Sequence, residues 1–366
     1  MLMSPLPPFR HITIIGVGLI GGSLGLAIRR QLPGAVVTGF DRPAVLSRAK
    51  RRGAIHRAET TLGRAVRNAD LVILAVPPSQ IRSFLPRIAR LVSQRTLVTD
   101  VGSVKAGIMS DARKLFPNGN FIGGHPMAGA EHSGILAAHP LLFENALYVL
   151  TPLPGAPVRA LTALIRKIGG RPLRMDPSFH DAVAATVSHL PQLVAVALMN
   201  LAGDRRRGTD EHLQLGAGGF RDLTRIASSR FDLWKHILPA NHAEVTEALR
   251  RLEKKLARYR RAVASRNLRL LAREFQRSKS LRSRIPRDMK GFLHPLAVLE
   301  VFVPDKPGML AQLTGALARK NINIKDLELM KVREGTGGTF RLSFESAEEK
   351  KRAQKILRLK GFSTDR

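Results

Sequence analysis

The chain has 366 residues, no cysteine, and 60 lysines and arginines against 28 aspartates and glutamates, a net charge of +32. That length calls for two or three domains, and 44% hydrophobic residues suffice for packed cores, which excludes a disordered basic tail as the whole molecule. The lack of cysteine excludes disulfides, thiolate metal sites, iron–sulfur clusters and a thiol nucleophile, and fits a reducing, cytoplasmic setting. The longest apolar stretch, residues 12–28, is interrupted by five glycines, so no membrane span is expected there, and the first ten residues hold three prolines and no apolar core of a signal peptide.

The first third alternates strand-like and helix-like segments. His11–Ile15 is a β-branched run that leads into glycines and a helix over 23–30. Residues 35–40 form a second strand, 43–52 a helix, 70–76 a strand, 80–91 a helix and 96–100 another strand. Strands at 121–124 and 146–151 and a helix at 157–168 follow. This alternation predicts an α/β fold with a parallel sheet covered on both faces. After about residue 176 the spacing becomes helical, with long runs at 180–201 and 231–265 and no strand before residue 296. Within this part, residues 249–290 carry 16 Lys and Arg against 3 Asp and Glu, and Pro286, Gly291 and Pro295 mark its end. The closing segment reads strand 297–303, helix 309–320, strand 322–332, strand 339–346 and helix 350–359, with room for a last strand. That order is a small ferredoxin-like βαββαβ module. The expected boundaries are 1–175, 176–290 and 295–366.

Gly16-Val17-Gly18-Leu19-Ile20-Gly21 is G-x-G-x-x-G between a strand and a helix, the context in which this motif binds a dinucleotide. Gly16 permits the tight turn, Gly18 lets the backbone approach a pyrophosphate, Gly21 lets helix and strand pack, and the helix N-terminus faces the anion. Asp41 stands 20 residues past Gly21 at the end of the second strand, where a carboxylate holds ribose hydroxyls and disfavours a 2′-phosphate. Arg42 beside it is a group that accepts such a phosphate, so NAD is expected and NADP is not excluded. Val76 and Pro77, at the end of the third long strand, complete the expected cofactor contacts with Leu19 and Ile20.

Three polar clusters are candidates for the chemistry: Asp100-Val101-Gly102-Ser103-Val104-Lys105, the Gly123-to-Glu131 segment around His125, and the segment from Gly218 to Ala227 around Arg225. The first two follow strands, and in open α/β sheets ligands bind beyond the carboxyl ends of strands. His125, between two glycines and a proline, suits a general base, and Ser103 is placed either to act with it or simply to cap the helix that follows. Arg225 is a planar fork suited to a carboxylate, and Asp222, three residues earlier, is expected to hold it.

In this order, GVGLIGGSLGLA, DVGSVK, GGHPMAGAEHSG, HDAVAATVSHLPQ and GGFRDLTRIASS resemble the prephenate dehydrogenase family, over residues 11 to about 250. The closing module, from Pro304-Asp305-Lys306-Pro307-Gly308 to Asn321-Ile322-Asn323-Ile324, resembles an ACT domain, a regulatory amino-acid-binding fold. The resemblance implies a Rossmann-type dinucleotide-binding domain, an all-α dimerisation domain and an ACT domain. It implies oxidative decarboxylation of prephenate to 4-hydroxyphenylpyruvate with hydride transfer to NAD+, in tyrosine biosynthesis. His125 matches the family's catalytic histidine, Ser103 the serine that orients it and the substrate, and Arg225 the arginine on a substrate carboxylate. His189 and His180 match pocket histidines, Glu131 a gating acidic position and Trp234 a residue beside the pocket. Where the family often reads S-H-L-P-H, this chain has Gln192, which carries no charge toward the substrate side chain.

The resemblance further implies a homodimer and L-tyrosine as a possible effector, with arogenate as the alternative substrate. A competing reading, a basic nucleic-acid-binding protein on a degenerate dehydrogenase scaffold, starts from the excess charge. It is weakened by an aromatic content of 5%, too little interleaved with the basic run to stack bases. No metal is expected, and no membrane partner.

Overall fold

The computed structural model describes residues 9–129, 132–204, 213–285, 296–333 and 336–364. Two compact units divide the chain, Met1–Glu274 and Phe275–Arg366.

The first unit begins with an α/β sheet in the chain order β1 (His11–Ile15), α1 (Leu19–Gln31), β2 (Val36–Phe40), α2 (Pro43–Arg51), β3 (Arg57–Glu59), α3 (Leu62–Val66), β4 (Leu71–Leu74), α4 (Pro78–Leu91), β5 (Leu97–Asp100), α5 (Ala106–Leu115), β6 (Phe121–Pro126), β7 (Leu147–Pro152), α6 (Val158–Lys167) and β8 (Arg171–Arg174). The strands lie in the order β3-β2-β1-β4-β5-β6-β7-β8. Alternate residues of one strand feed opposite cores. Leu71 and Ile73 join Ile12, Ile14, Ala27, Ile28, Leu161 and Leu164 on one face. Val72 and Leu74 join Ile15, Ile81, Leu85, Ile88 and Ile108 on the other. A strand covered on both sides has no polar face, which is why β4 reads Leu-Val-Ile-Leu.

The uniformly parallel sheet expected from the alternation is corrected at one edge. β1 to β6 are parallel, but β7 runs antiparallel to β6, pairing Ile122 with Pro152 and Pro126 with Tyr148, and β8 is parallel to β7. No helix of the α1 to α6 series separates β6 from β7, and without a crossover the chain comes back in the opposite direction. The order in which successive strands are added reverses between β1 and β4, the point where an open α/β sheet splays its loops to form a crevice.

The helical part of this unit holds α7 (Pro177–Ala184), a π-helical turn (Ala185–His189), α8 (Leu190–Gly203), α9 (Gly218–Thr224), a 3-10 turn (Arg225–Ser228), α10 (Phe231–Ala240), α11 (His242–Ala264) and the first residues of α12 (Leu268–Ser283), a helix that runs past the division at Glu274. The single run expected over 231–265 is broken between α10 and α11, where Pro239 and Asn241 stand. The Pro177–Gly203 run is long and apolar enough to cross a membrane by length and composition, yet it carries four buried polar side chains, His180, Asp181, His189 and Gln192. α10 is tied to the sheet domain by Ile237 in the second core and by a 2.8 Å hydrogen bond between His236 Nδ1 and Ser79 Oγ on α4.

The second unit contains β9 (Ala297–Pro304), α13 (Met309–Ala318), β10 (Asp326–Arg333), β11 (Gly337–Phe344), α14 (Ala347–Leu359) and β12 (Ser363–Thr364). The strand order β10-β11-β9-β12, all antiparallel, is the expected βαββαβ arrangement, around a core of its own that includes Leu299, Val301, Leu313, Leu342, Phe344 and Leu357. The boundary residues Pro286, Gly291 and Pro295 lie outside the described residues.

Candidate active site

The glycine loop joins β1 to α1 at the point where the strand order reverses. Gly16 has φ +90°, and a Cβ there would sit 2.5 Å from the carbonyl oxygen of Ala75, the residue after β4. A Cβ on Gly21 would fall 1.9 Å from the Gly16 carbonyl oxygen, so helix and loop meet with no room for a side chain. Around Gly18 nothing lies within 4 Å of a built Cβ, so the loop is open on that side alone, as a pyrophosphate cradle requires. α1 begins at Leu19 and Ile20, four residues earlier than the sequence spacing suggested. Asp41 closes the crevice wall: its Oδ2 accepts the Val17 N–H at 2.8 Å and its Oδ1 the Arg42 N–H at 2.7 Å. The carboxylate is therefore fixed at the loop, whereas the Arg42 side chain is 87% exposed. Val76 is half-buried against the second core, and Pro77 precedes α4. These residues fit a dinucleotide with free ribose hydroxyls.

Across the crevice, β6 carries His125 next to its carboxyl end. His125 Nδ1 lies 2.8 Å from His180 Nε2, and His180 Nδ1 lies 2.8 Å from Asp181 Oδ1. The direction of this chain follows from its end. A carboxylate oxygen accepts, so His180 Nδ1 carries a proton; neutral His180 then offers a lone pair at Nε2, and His125 donates to it through Nδ1–H. The remaining atom, Nε2 of His125, is left as the basic nitrogen. Burial pushes His125 well below the ordinary histidine value, with the neighbouring His180, Lys105 and His189 acting in the same direction. Burial also takes His189 down to about 4 against the pull of Asp181. Both rings are held neutral, the form a proton acceptor needs.

Asp181 was not among the residues singled out from sequence, and it does two further things. Its Oδ1 and Oδ2 accept the N–H groups of Lys105 (2.7 Å) and Ala106 (2.8 Å), capping α5 from the helical part of the unit. Its carbonyl accepts from Asn241 Nδ2 at 2.9 Å, and Asn241 also lies 3.3 Å from His189 Nδ1. The available clue was the His-Asp pair inside HDAVAATVSHLPQ. Ser103 is corrected on this point: Asp181, not Ser103, caps the helix, and Ser103 makes no side-chain hydrogen bond to another described residue. The partner of His125 is His180 rather than Ser103.

The remaining candidates fall into place less uniformly. Trp234 is half-buried at the edge of the second core, its ring edge-on to His189 at 6.0 Å. Gln192 is buried and faces its own fold: Nε2 donates to the Ile226 carbonyl at 2.9 Å, and Oε1 accepts from Ser229 Oγ at 3.4 Å. It thus braces the turn that bears Arg225. Asp222 lies on α9 and Arg225 opens the 3-10 turn that follows it; both side chains are exposed. Glu131 lies outside the described residues. A separate cleft of about 1080 Å³, lined by Met109, Arg113, Arg159, Arg174 and Asp176 among others, contains none of these groups. It opens at the carboxyl ends of β7 and β8, which the reversal of β7 places at the opposite edge of the sheet.

With this geometry in hand, the family assignment is direct. The family models for the prephenate dehydrogenase nucleotide-binding domain, the prephenate dehydrogenase dimerization domain and the ACT domain match residues 24–172, 176–277 and 297–361. The prephenate dehydrogenase of Bacillus subtilis (strain 168) is 34% identical over 354 residues, 94% of this chain and 95% of that protein. Among solved structures, the prephenate dehydrogenase of Aquifex aeolicus in complex with hydroxyphenyl propionate and NAD+ superposes with a TM-score of 0.70 at 30% identity, over 75% of this chain and 98% of that one. Synechocystis arogenate dehydrogenase superposes with a TM-score of 0.67 at 29% identity, over 75% and 99%. A glycine loop at the point where the sheet reverses and a histidine chain anchored on Asp181, together with full-length similarity, establish that this chain belongs to the prephenate dehydrogenase family.

Proposed function

We propose that the chain catalyses the oxidative decarboxylation of prephenate to 4-hydroxyphenylpyruvate with NAD+ as the hydride acceptor, in tyrosine biosynthesis. The observation that carries this reading is the His125–His180–Asp181 chain on the carboxyl edge of the same sheet whose β1–α1 loop forms the dinucleotide cradle. NAD+, when bound along Gly16, Gly18, Leu19, Ile20 and Gly21 with its ribose on Asp41, supplies the hydride acceptor. His125 Nε2 accepts the proton of the ring hydroxyl as the C4–H electron pair leaves. The charge that develops on its ring is stabilised through Nδ1–H on His180 and from there by Asp181. Carbon dioxide leaves with aromatisation of the ring, and His125 returns the proton to the phenolate oxygen, so that no net proton is gained or lost. Ser103, ahead of α5, supplies a hydroxyl to the substrate, and Arg225 grips one of its carboxylates.

The test is the appearance of NADH absorbance with prephenate, and His125→Asn is expected to abolish it. An unimpaired rate in that variant rejects the assigned chemistry. Arogenate is the second reading, favoured by the likeness to the Synechocystis arogenate dehydrogenase. Initial rates on the two substrates separate them.

Apolar side chains exposed on the helical part, among them Val187, Leu201, Phe231 and Leu233, form the surface through which two copies pair, in line with the matched dimerization-domain model. The ACT unit binds an amino-acid effector, with L-tyrosine as the end-product candidate. The enzyme works in the cytoplasm, where its substrate and cofactor are made.

A further inference from the structure

Two charges in the heart of the first unit take no part in the steps above. The side chains of Asp100 and Lys105 are both 0% exposed and are bonded to each other. Asp100 ends β5, and beside the Lys105 ammonium it accepts the N–H of Gly102 at 2.8 Å and of Gly124 at 3.1 Å. Gly124 immediately precedes His125, and a Cβ on it would lie 2.4 Å from the Asp100 carbonyl oxygen, so β5 and β6 are clamped together at this point. Lys105 in turn stands at the start of α5, where its main-chain N–H is held by Asp181 at 2.7 Å, the carboxylate that terminates the histidine chain. One ion pair therefore touches the strand that carries the base and the helix end capped by the relay's anchor. Apolar residues of the same volume would serve stability as well or better, because desolvating two charges offsets their attraction. The charge calls for a reason beyond packing.

We propose that Asp100 and Lys105 are positioning residues for the reaction: the buried pair locks β6 at Gly124, beside His125, to the start of α5 that Asp181 caps. The inference rests on the role of His125 proposed above. The charged and titratable groups on the elements around His125 are Asp100 from β5, Lys105 from the start of α5, Tyr148 from β7, His180 and Asp181 from α7, and His189 from the π-helical turn. Lys105, bonded to Asp100, is the cation of the set. Its own value is pulled down by burial and held up by Asp100.

The experiment is a histidine NMR titration of the full-length chain, with the His125 resonance assigned by its loss in His125→Asn, beside the pH profile of kcat/KM for prephenate. In the wild type His125 titrates below 6.5, the ordinary value. In Asp100→Asn/Lys105→Met, which removes the clamp, His125 loses part of its burial, its midpoint rises toward 6.5 and the acidic limb of kcat/KM rises with it. Asp100→Asn/Lys105→Gln, which keeps polar atoms in the cavity, is expected to behave alike. A folded double variant whose rate falls at every pH while the His125 midpoint stays in place overturns the proposal. So does a wild-type His125 that titrates at or above 6.5, a result that needs no variant to fold. If the wild type does not turn over prephenate, the proposed function fails, and the NMR titration still decides the role of the pair.

Discussion

Gln192 illustrates how a single side chain changes meaning between sequence and structure. Read in line, it is an uncharged substitute facing the substrate; in the fold both ends of its amide are engaged, with Ile226 and Ser229. Ile226 is bonded in sequence to Arg225, so the side chain fixes the turn that presents Arg225, the arginine proposed to bind a substrate carboxylate. Gln192→Ala leaves the part-buried Ile226 carbonyl without its donor, an effect of up to about 1.5 kcal/mol. The expected outcome is a rise of about tenfold in KM for prephenate with kcat nearly unchanged. An unchanged KM, read from initial rates, defeats the idea. Asp181 makes the complementary point: a residue invisible as a candidate is the anchor of the site. Asp181→Asn offers α5 a poorer cap and no longer dictates the His180 tautomer, and kcat is expected to fall by about 10²-fold or more. The buried histidines add a pH dependence whose sign is set by their lowered values. His125 and His189 are neutral in folded and unfolded chains above 6.5 and cost nothing there. Below 6.5 the unfolded chain takes up protons that the folded chain refuses, so stability is lost as pH falls from 6.5 toward about 4, the value of His189. Thermal melts across that window are expected to show Tm dropping with pH, with a shallower slope in His189→Asn.

At the level of elements, the strands with long β-branched runs were legible because doubly covered strands must be apolar throughout. β3 and β8, three and four residues long, carry Arg-Ala-Glu and Arg-Pro-Leu-Arg and lack that signature, since edge strands bury little. The reversal of β7 was hidden for another reason: direction is decided by the connection, which in this case is not a helix of the usual crossover kind. The His125–His180 contact spans 55 residues and two elements, and no local periodicity encodes it. The glycine loop was fully legible because each glycine answers to a distinct steric demand, and those demands predict different variants. Gly21→Ala drives a Cβ to 1.9 Å from backbone and is expected to lower Tm steeply and cost cofactor binding with it. Gly18→Ala meets nothing within 4 Å and is expected to leave Tm in place while weakening NAD+ binding, because the methyl occupies the space for the pyrophosphate. A titration of NAD+ quenching of Trp234, the single tryptophan, beside thermal melts of both variants decides it. Equal Tm losses in both reject this reading of the loop.

Across the whole molecule, each unit has its own core, and the ACT unit closes its sheet with its own strands β9 to β12. A chain ending at residue 285 is therefore expected to keep prephenate turnover and to lose any response to saturating L-tyrosine. The net charge of +32 belongs to this scale as well. A polyanionic partner was one explanation. The family assignment offers another, because prephenate carries two carboxylates and NAD+ a pyrophosphate, and a positive field raises the capture rate of both. Only charges within about a Debye length of the crevice do this, roughly 30 Å at 0.01 M salt and about 8 Å at 0.15 M. The expected result is that kcat/KM for prephenate falls as ionic strength rises across that range while kcat holds. The 16 Lys and Arg of residues 249–290 lie outside every catalytic motif, and on α11 and α12 the described part of this run exposes most of them. If they are a solvated face, replacing Arg269, Arg273, Arg277 and Lys279 by glutamine leaves the salt slope of kcat/KM where it was. A slope that flattens in this variant means instead that the basic helices steer substrate, and the excess charge is then functional.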